Sequence, residues 1–153
     1  MEEEKKRPYV MKGDKEFKDE RGKISNFHPT RPIEWIGLIT SHKGTTRANH
    51  MHPVQEQNCL VISGGYASVW RDEEGNMHDH LVKAGDLEIM PAKIDHVMVF
   101  IEETVFLNLV ESEREHENFN KEEGHTLRLE KPVVAPENTE LINQYIERYK
   151  DLI

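Results

Sequence analysis

Cysteine is almost absent from this sequence: Cys59 is the single example. That excludes an intrachain disulfide and leaves too few thiols for a cysteine zinc cluster. Long apolar runs are missing too, so no stretch approaches the ~18 residues that a membrane-spanning helix needs. The first residues (Glu2, Glu3, Glu4, Lys5, Lys6) have none of the apolar core of a secretory signal. The expectation is a cytoplasmic, reducing setting. There is no surplus of positive charge either. Twenty Lys and Arg against 29 Asp and Glu give a net charge of -9. Such a chain is a poor non-specific partner for nucleic acid or anionic lipid, and neither is expected to bind. There is no internal repeat and no low-complexity tract.

What is present is a succession of short β-rich runs. Ile33 to Thr40, Thr46 to His52, Gln57 to Ile62, Tyr66 to Arg71, His78 to Val82, Leu87 to Met90, His96 to Glu102 and Thr104 to Val110 are punctuated by Gly, Asp and Pro. With earlier runs near Tyr9 and Lys23 this makes nine or ten strands spaced about 8–12 residues apart, a pattern of antiparallel sandwiches and barrels. Gly64 and Gly65 read as one tight hairpin turn, and Asp72 to Asn76 as a second. The 153 residues fit one domain, with a barrel core over about 20–112 and a charged loop at 111–124. A helix is expected over about 138–152, with Leu141, Ile142, Tyr145, Tyr149 and Leu152 on one stripe.

The stretch from Gly44 to Glu56 carries the chemistry. On an extended strand His50 and His52 point to the same face, about 6.6 Å apart along the backbone, and can share one cation. Glu56 follows four residues later. Imidazole nitrogens and a carboxylate oxygen suit a divalent Fe, Mn, Zn, Ni or Co ion. Of the nine histidines, His96 best completes the set, because it shares a face with Met98 and Phe100 at the start of an apolar strand. The alternative for Glu56 is a surface position, with Gln57 or a water in its place. His78 and His80 also form a His-x-His pair, but in a polar hairpin arm, and read as surface. Cys59 lies an odd number of residues from Glu56 and reads as a small buried filler on the opposite face.

The spacing Gly44-x5-His50-x-His52-x3-Glu56-x7-Gly64 resembles the first cupin motif, and Gly85-x5-Pro91-x-Lys93-x2-His96 resembles the second. The resemblance covers roughly residues 40–110. It implies an all-β double-stranded β-helix, a jelly-roll barrel with a C-terminal α-helix here, and His50, His52, Glu56 and His96 as ligands of one divalent metal. Three positions depart from the motifs: Gly64 comes one residue late, Lys93 replaces a glycine and Phe100 an asparagine. Within the cupins, Asp19, Arg21, Gly22 and Ile24, together with Arg47, His50 and His52, resemble bacterial epimerase- and ketoisomerase-like proteins of nucleotide-sugar and polysaccharide pathways. Ala48 stands where those proteins carry glycine.

That branch implies a sugar isomerase or epimerase acting by proton transfer on a small-molecule substrate, a nucleotide-linked sugar. A metal can polarise the carbonyl, and a histidine or a carboxylate such as Glu56 can move the proton. Arg47 can hold a phosphate through paired hydrogen bonds, although its odd spacing from His50 also permits an outer-face salt bridge. The metal-free epimerases of the branch use a tyrosine, and Tyr66 is the one tyrosine within the barrel region. Two other readings fit the same residues: a mononuclear Fe(II) dioxygenase and a non-catalytic small-molecule-binding cupin. Exposed sheet edges and apolar early strands suggest a homodimer.

Overall fold

Apolar and polar residues alternate along much of the chain between residues 35 and 110. A period of two favours extended strands with one face buried. The computed structural model describes residues 6–111 and 126–153. The strands are β1 (Tyr9–Met11), β2 (Asp14–Asp19), β3 (Gly22–Asn26), β4 (Trp35–Ser41), β5 (Thr46–Met51), β6 (Gln57–Ser63), β7 (Gly65–Arg71), β8 (Met77–Lys83), β9 (Leu87–Met90), β10 (Asp95–Phe100), β11 (Thr104–Val110) and β12 (Leu127–Arg128). Helix α1 (Thr139–Tyr149) follows and ends in a 3-10 turn at Lys150–Leu152. Most of the expected charged loop lies outside the described residues. β2 was not expected as a strand: its side chains are mostly exposed, so it carries no alternation to read.

The strands form two five-stranded antiparallel sheets. The first has the order β1-β9-β6-β11-β4 and the second β12-β5-β10-β7-β8, while β2 and β3 pair with each other. From β4 to β11 the chain passes repeatedly between the two sheets, which gives the double-stranded β-helix that the motifs implied. The loops β5–β6 and β9–β10 cross at one end of the barrel. They deliver His52 and His96 to that end.

Gly64 lies at a crossing of this kind. The sequence reads Gly64 and Gly65 as a hairpin turn, but β6 and β7 belong to different sheets and do not pair. The chain turns between layers, and it does so in very little room. Gly64 has φ +78°, and a Cβ there would sit 2.3 Å from the Glu103 carbonyl oxygen. The second predicted turn holds: β7 and β8 pair across residues 72–76. There the Asp72 carboxylate accepts from the Glu74 and Asn76 amides at 3.0 and 2.8 Å.

Two apolar layers stabilise the barrel. Tyr66, Phe100 and Phe106 fill the interior with ring centroids 5.8–6.0 Å apart. On the outer face of the second sheet, Ala67, Val69, Val97 and Val99 pack under Val133, Val134, Ile142, Tyr145 and Ile146. Helix α1 starts where the Asn138 side chain accepts from the Leu141 amide at 3.2 Å. Asp79 on β8 anchors its far end, with oxygens 2.7 and 2.8 Å from Arg148 and a hydrogen bond from the Tyr149 hydroxyl. Burial, then the Asp79 carboxylate, pushes the Tyr149 phenol up to about 12. Leu152 leaves the predicted stripe and is 57% exposed, because the helix has ended by then.

The outer face of the first sheet is different. Ile36, Leu38 and Ile62 are 66%, 71% and 52% exposed. Strand register sets Leu38 beside Leu107, Ile36 beside Leu109, and Leu60 on the other side of Leu107.

The crossing at Gly64 can be tested against Gly44, which has φ +82° with nothing near its added Cβ. Gly44→Ala should cost only the left-handed backbone term, about 1–2 kcal/mol. Gly64→Ala adds a clash with backbone and should cost at least about 2 kcal/mol more. Urea titration of the two variants reads the difference, and equal losses contradict the steric account.

Candidate functional site

His50 and His52 leave the end of β5, and His96 begins the pairing of β10 opposite His50. The three rings converge: centroids are 4.6 Å apart for His50 and His52, 4.8 Å for His50 and His96, and 5.2 Å for His52 and His96. All three are buried, His52 completely. Two have a defined tautomer. His96 Nδ1 lies 2.8 Å from the Ile94 carbonyl oxygen, so Nδ1 carries the proton. His52 Nε2 lies 2.9 Å from Gln57 Oε1 and donates to it.

Glu56 is not in this group. It lies outside β6, accepts a hydrogen bond from the Thr30 hydroxyl, and lines a separate open groove with Pro53 and Val54. The reason is strand phase. β6 begins at Gln57, and Gln57, not Glu56, points inward toward His52. Counted from Gln57, the spacing to Gly64 is no longer one residue long. Cys59 shares the inward face with Gln57 and packs among the interior residues. It is buried, as expected, but inside the barrel.

A cation bound here would have three ring nitrogens within 4.8 Å of one another. Its fourth neighbour would be Gln57, an uncharged amide already committed to His52 and, at 2.9 Å, to Asn108. Among the described residues no carboxylate joins the three histidines, so the set is of the three-imidazole kind in which water would fill the remaining position. The four-ligand site implied by the motifs therefore does not fit the residues that face inward.

Arg47 corrects a parity argument. Its odd spacing from His50 permits an outward side chain only if β5 is regular, and β5 is not. His50 pairs with His96 but Ala48 pairs with Val97, so Asn49 is an extra, bulged residue. Ala48 and Asn49 have φ +80° and +54°. The bulge returns Arg47 to the face of Met98, its register partner. Its guanidinium crosses the seam between the sheets, with Nε donating to Ser41 Oγ at 2.7 Å and Nη2 to the Thr40 carbonyl at 3.0 Å.

Beneath this seam lies a cavity of about 440 Å³, within the range of small-molecule sites. Its lining includes Arg47, His50, Gln57, Met98, Phe106, Asn108 and Arg128. Arg128 pairs with His50 through β12 and adds a second cation that sequence reasoning missed. The alternation around residues 125–130 suggests a return to the sheet, which β12 makes, but no motif there singles out Arg128.

Tyr66 is elsewhere. It is fully buried and does not line the cavity, and its hydroxyl donates to Glu88 Oε1 at 3.1 Å. Burial and the adjacent Glu88 carboxylate push the phenol well above its ordinary value. Such a tyrosine is a poor proton donor for chemistry near neutral pH. His80 reaches the other Glu88 oxygen at 2.5 Å, and His78 stacks on Trp70. The pair read as surface therefore lies half-buried against the barrel interior, because strand register aligns His78, His80 and Val82 with Trp70, Ser68 and Tyr66.

Comparison with known proteins finds the same fold in solved structures. No protein-family model and no curated protein matches the chain. Solved structures do. QdtA, a sugar 3,4-ketoisomerase from Thermoanaerobacterium thermosaccharolyticum in complex with TDP, is 14% identical over 95% of this chain and 96% of that one, with a TM-score of 0.65. dTDP-4-dehydrorhamnose 3,5-epimerase from Elizabethkingia anophelis is 17% identical over 91% and 87%, with a TM-score of 0.62. The same enzyme from Sulfolobus tokodaii is 15% identical over 72% and 73%, with a TM-score of 0.60. The shared property is the fold. Among the described residues no helix is long and apolar enough to cross a membrane.

Tyr66→Phe removes one donor from a buried carboxylate and should destabilise the fold by about 1–3 kcal/mol. An unchanged urea midpoint means the Tyr66–Glu88 hydrogen bond does not form in solution.

Proposed function

We propose that this protein is an isomerase or epimerase that moves a proton next to the carbonyl of a nucleotide-linked keto-sugar, with His50 as the base. The observation that carries the reading is the cavity that places His50 beside two arginines, Arg47 and Arg128. Two guanidinium groups suit the oxygens of a phosphate or diphosphate, and the imidazole suits a proton held near neutral pH. The solved structures of like fold support the substrate class, since QdtA was solved with TDP bound.

The step is a proton transfer. His50 takes the proton from the carbon beside the carbonyl, and the C–H electron pair moves to make an enolate. In an isomerisation the hydroxyl on the first carbon passes its proton to the enolate oxygen, that hydroxyl carbon becomes the new carbonyl, and the proton on His50 goes to the former carbonyl carbon. In an epimerisation a proton is delivered from solvent to the opposite face of the same carbon, and His50 releases its own. Met98 and Phe106 shield that part of the cavity from water, which strengthens the electrostatic interactions within it. Gln57, which faces the cluster, adds no negative charge to it. The oxygenase alternative is the less supported, because its usual two-histidine, one-carboxylate set needs a carboxylate at the cluster.

A second copy of the chain belongs on the outer face of the first sheet. The exposed side of β4, β6 and β11 is uncharged. These three adjacent seven-residue strands spread it over roughly 300 Å² by strand spacing. Exposed apolar areas on that scale mark interfaces, and a flat sheet face can stack on itself across a two-fold axis.

Two experiments test these readings. Incubated in D₂O with TDP-4-keto-6-deoxyglucose, the protein should introduce deuterium beside the carbonyl. His50→Ala should slow this by about 10²–10⁴-fold, and chelator treatment should leave it unchanged. Exchange that requires an added cation would favour a tri-histidine metal centre, and no exchange with any nucleotide keto-sugar would sink the isomerase reading. For the dimer, Leu38→Glu should halve the mass seen by light scattering; a wild-type monomer overturns that interface.

A further inference from the structure

Gln57 and Asn108 line the same cavity as His50, but the proton transfer itself uses neither. They form a line with His52. Gln57 Nε2 donates to Asn108 Oδ1 at 2.9 Å, and Gln57 Oε1 lies 2.9 Å from His52 Nε2. All three are at least nine-tenths buried: 8% exposed for Gln57, 7% for Asn108 and 0% for His52. The direction of each bond follows from the chemistry of an amide. Its nitrogen only donates and its oxygen only accepts. While the Gln57 nitrogen is held by Asn108, the Gln57 oxygen must face His52, and His52 Nε2 must carry the proton. Asn108 is itself oriented, because the Cys59 thiol, a donor, lies 4.0 Å from the same Oδ1.

We propose that Asn108 and Gln57 are positioning residues that fix the tautomer of His52, with the proton on Nε2 and the lone pair on Nδ1. His52 in turn packs edge-on against His50, with ring centroids 4.6 Å apart. A single tautomer gives His50 one constant electrostatic neighbour. The opposite tautomer would turn the His52 ring dipole around beside the base. It would also set two acceptors, His52 Nε2 and Gln57 Oε1, against each other in a buried site, where a clash of like partners is unfavourable. The same logic is seen at His96, where the Ile94 carbonyl fixes the tautomer at 2.8 Å. The role of this line in turnover rests on the proton-transfer reading, but the tautomer does not.

Nitrogen-15 chemical shifts of the histidine rings read the tautomer directly, in the absence of any substrate. Wild-type protein should show His52 as the Nε2–H form alone. Asn108→Leu frees the Gln57 amide to turn and should give a mixture of both tautomers. Asn108→Asp keeps an acceptor for the Gln57 nitrogen and should restore the single form. Gln57→Met removes the acceptor itself and serves where Asn108→Leu does not fold. In the deuterium-exchange assay, Asn108→Leu should lower kcat about 10–100-fold with KM changed less than about twofold, the pattern of lost positioning rather than lost binding. A mixed or Nδ1–H tautomer in wild-type protein overturns the proposal, as does a tautomer unmoved by both Asn108→Leu and Gln57→Met. A rise in KM without loss of kcat assigns the two amides to substrate binding instead. Complete absence of exchange with a correct wild-type tautomer sinks the proton-transfer reading and leaves the tautomer lock standing.

Discussion

Asn49 is one residue more than the ladder between β5 and β10 can pair, and the backbone absorbs it with two consecutive left-handed residues. Those conformations are unfavourable for Ala48 and tolerable for Asn49. What holds them is the Asn49 side chain. Its oxygen accepts from the Val133 and Val134 amides at 2.9 and 3.3 Å, and its nitrogen donates to the Val134 carbonyl at 2.8 Å. The same residue therefore does two things. It fastens the segment that leads to helix α1 onto the barrel, and it rephases β5 so that Arg47 and His50 address one cavity. Strain in the strand and order in the C-terminal segment are two sides of one set of hydrogen bonds.

Polar groups elsewhere in the interior follow a related economy. A barrel packed only with Phe100, Phe106 and Val61 would be simpler to stabilise. This one also buries Gln57, Asn108, Tyr66 and Glu88. Each has a hydrogen-bonded partner, between the sheets for Tyr66 and Glu88 and on neighbouring strands for Gln57 and Asn108, so the desolvation cost is offset by directed hydrogen bonds. The His80–Glu88 contact ties β8 of one sheet to β9 of the other at one seam, while Arg47 reaches from β5 to β4 at the opposite seam. The two seams are closed by side chains because no backbone ladder crosses them.

Much of this was legible from residue order. Alternation gave the strands, and the tight spacing of His50 and His52 with the distant His96 gave the cluster, because same-face periodicity survives in a regular strand. What was not legible depended on phase. A one-residue change in where β6 begins exchanges Glu56 for Gln57 as the inward side chain. One bulged residue reverses the parity of Arg47. Neither event leaves a hydrophobic signal. Gly64 and Gly65 signal a sharp turn, but the same glycines serve a hairpin and a crossing between sheets, and only the pairing partners decide. His78 and His80 look like a solvated arm because their buried partners, Trp70 and Glu88, lie on other strands.

The exchange of Glu56 for Gln57 also changes what the histidines are for. A carboxylate among three imidazoles favours a cation, and such a cation would hold all three rings deprotonated as ligands. An amide in that place adds no charge. The rings are then free to differ, and the surrounding structure makes them differ: one is fixed by the Ile94 carbonyl, one by Gln57, and the third, His50, faces the cavity. Two rings whose hydrogen bonds define a tautomer thus flank the one that lines the cavity, the order of groups that the proposed proton transfer uses. On the proposed reading, Arg47 and Arg128, which line the same cavity as His50, would hold the anionic end of a substrate while its carbonyl end reaches the imidazole.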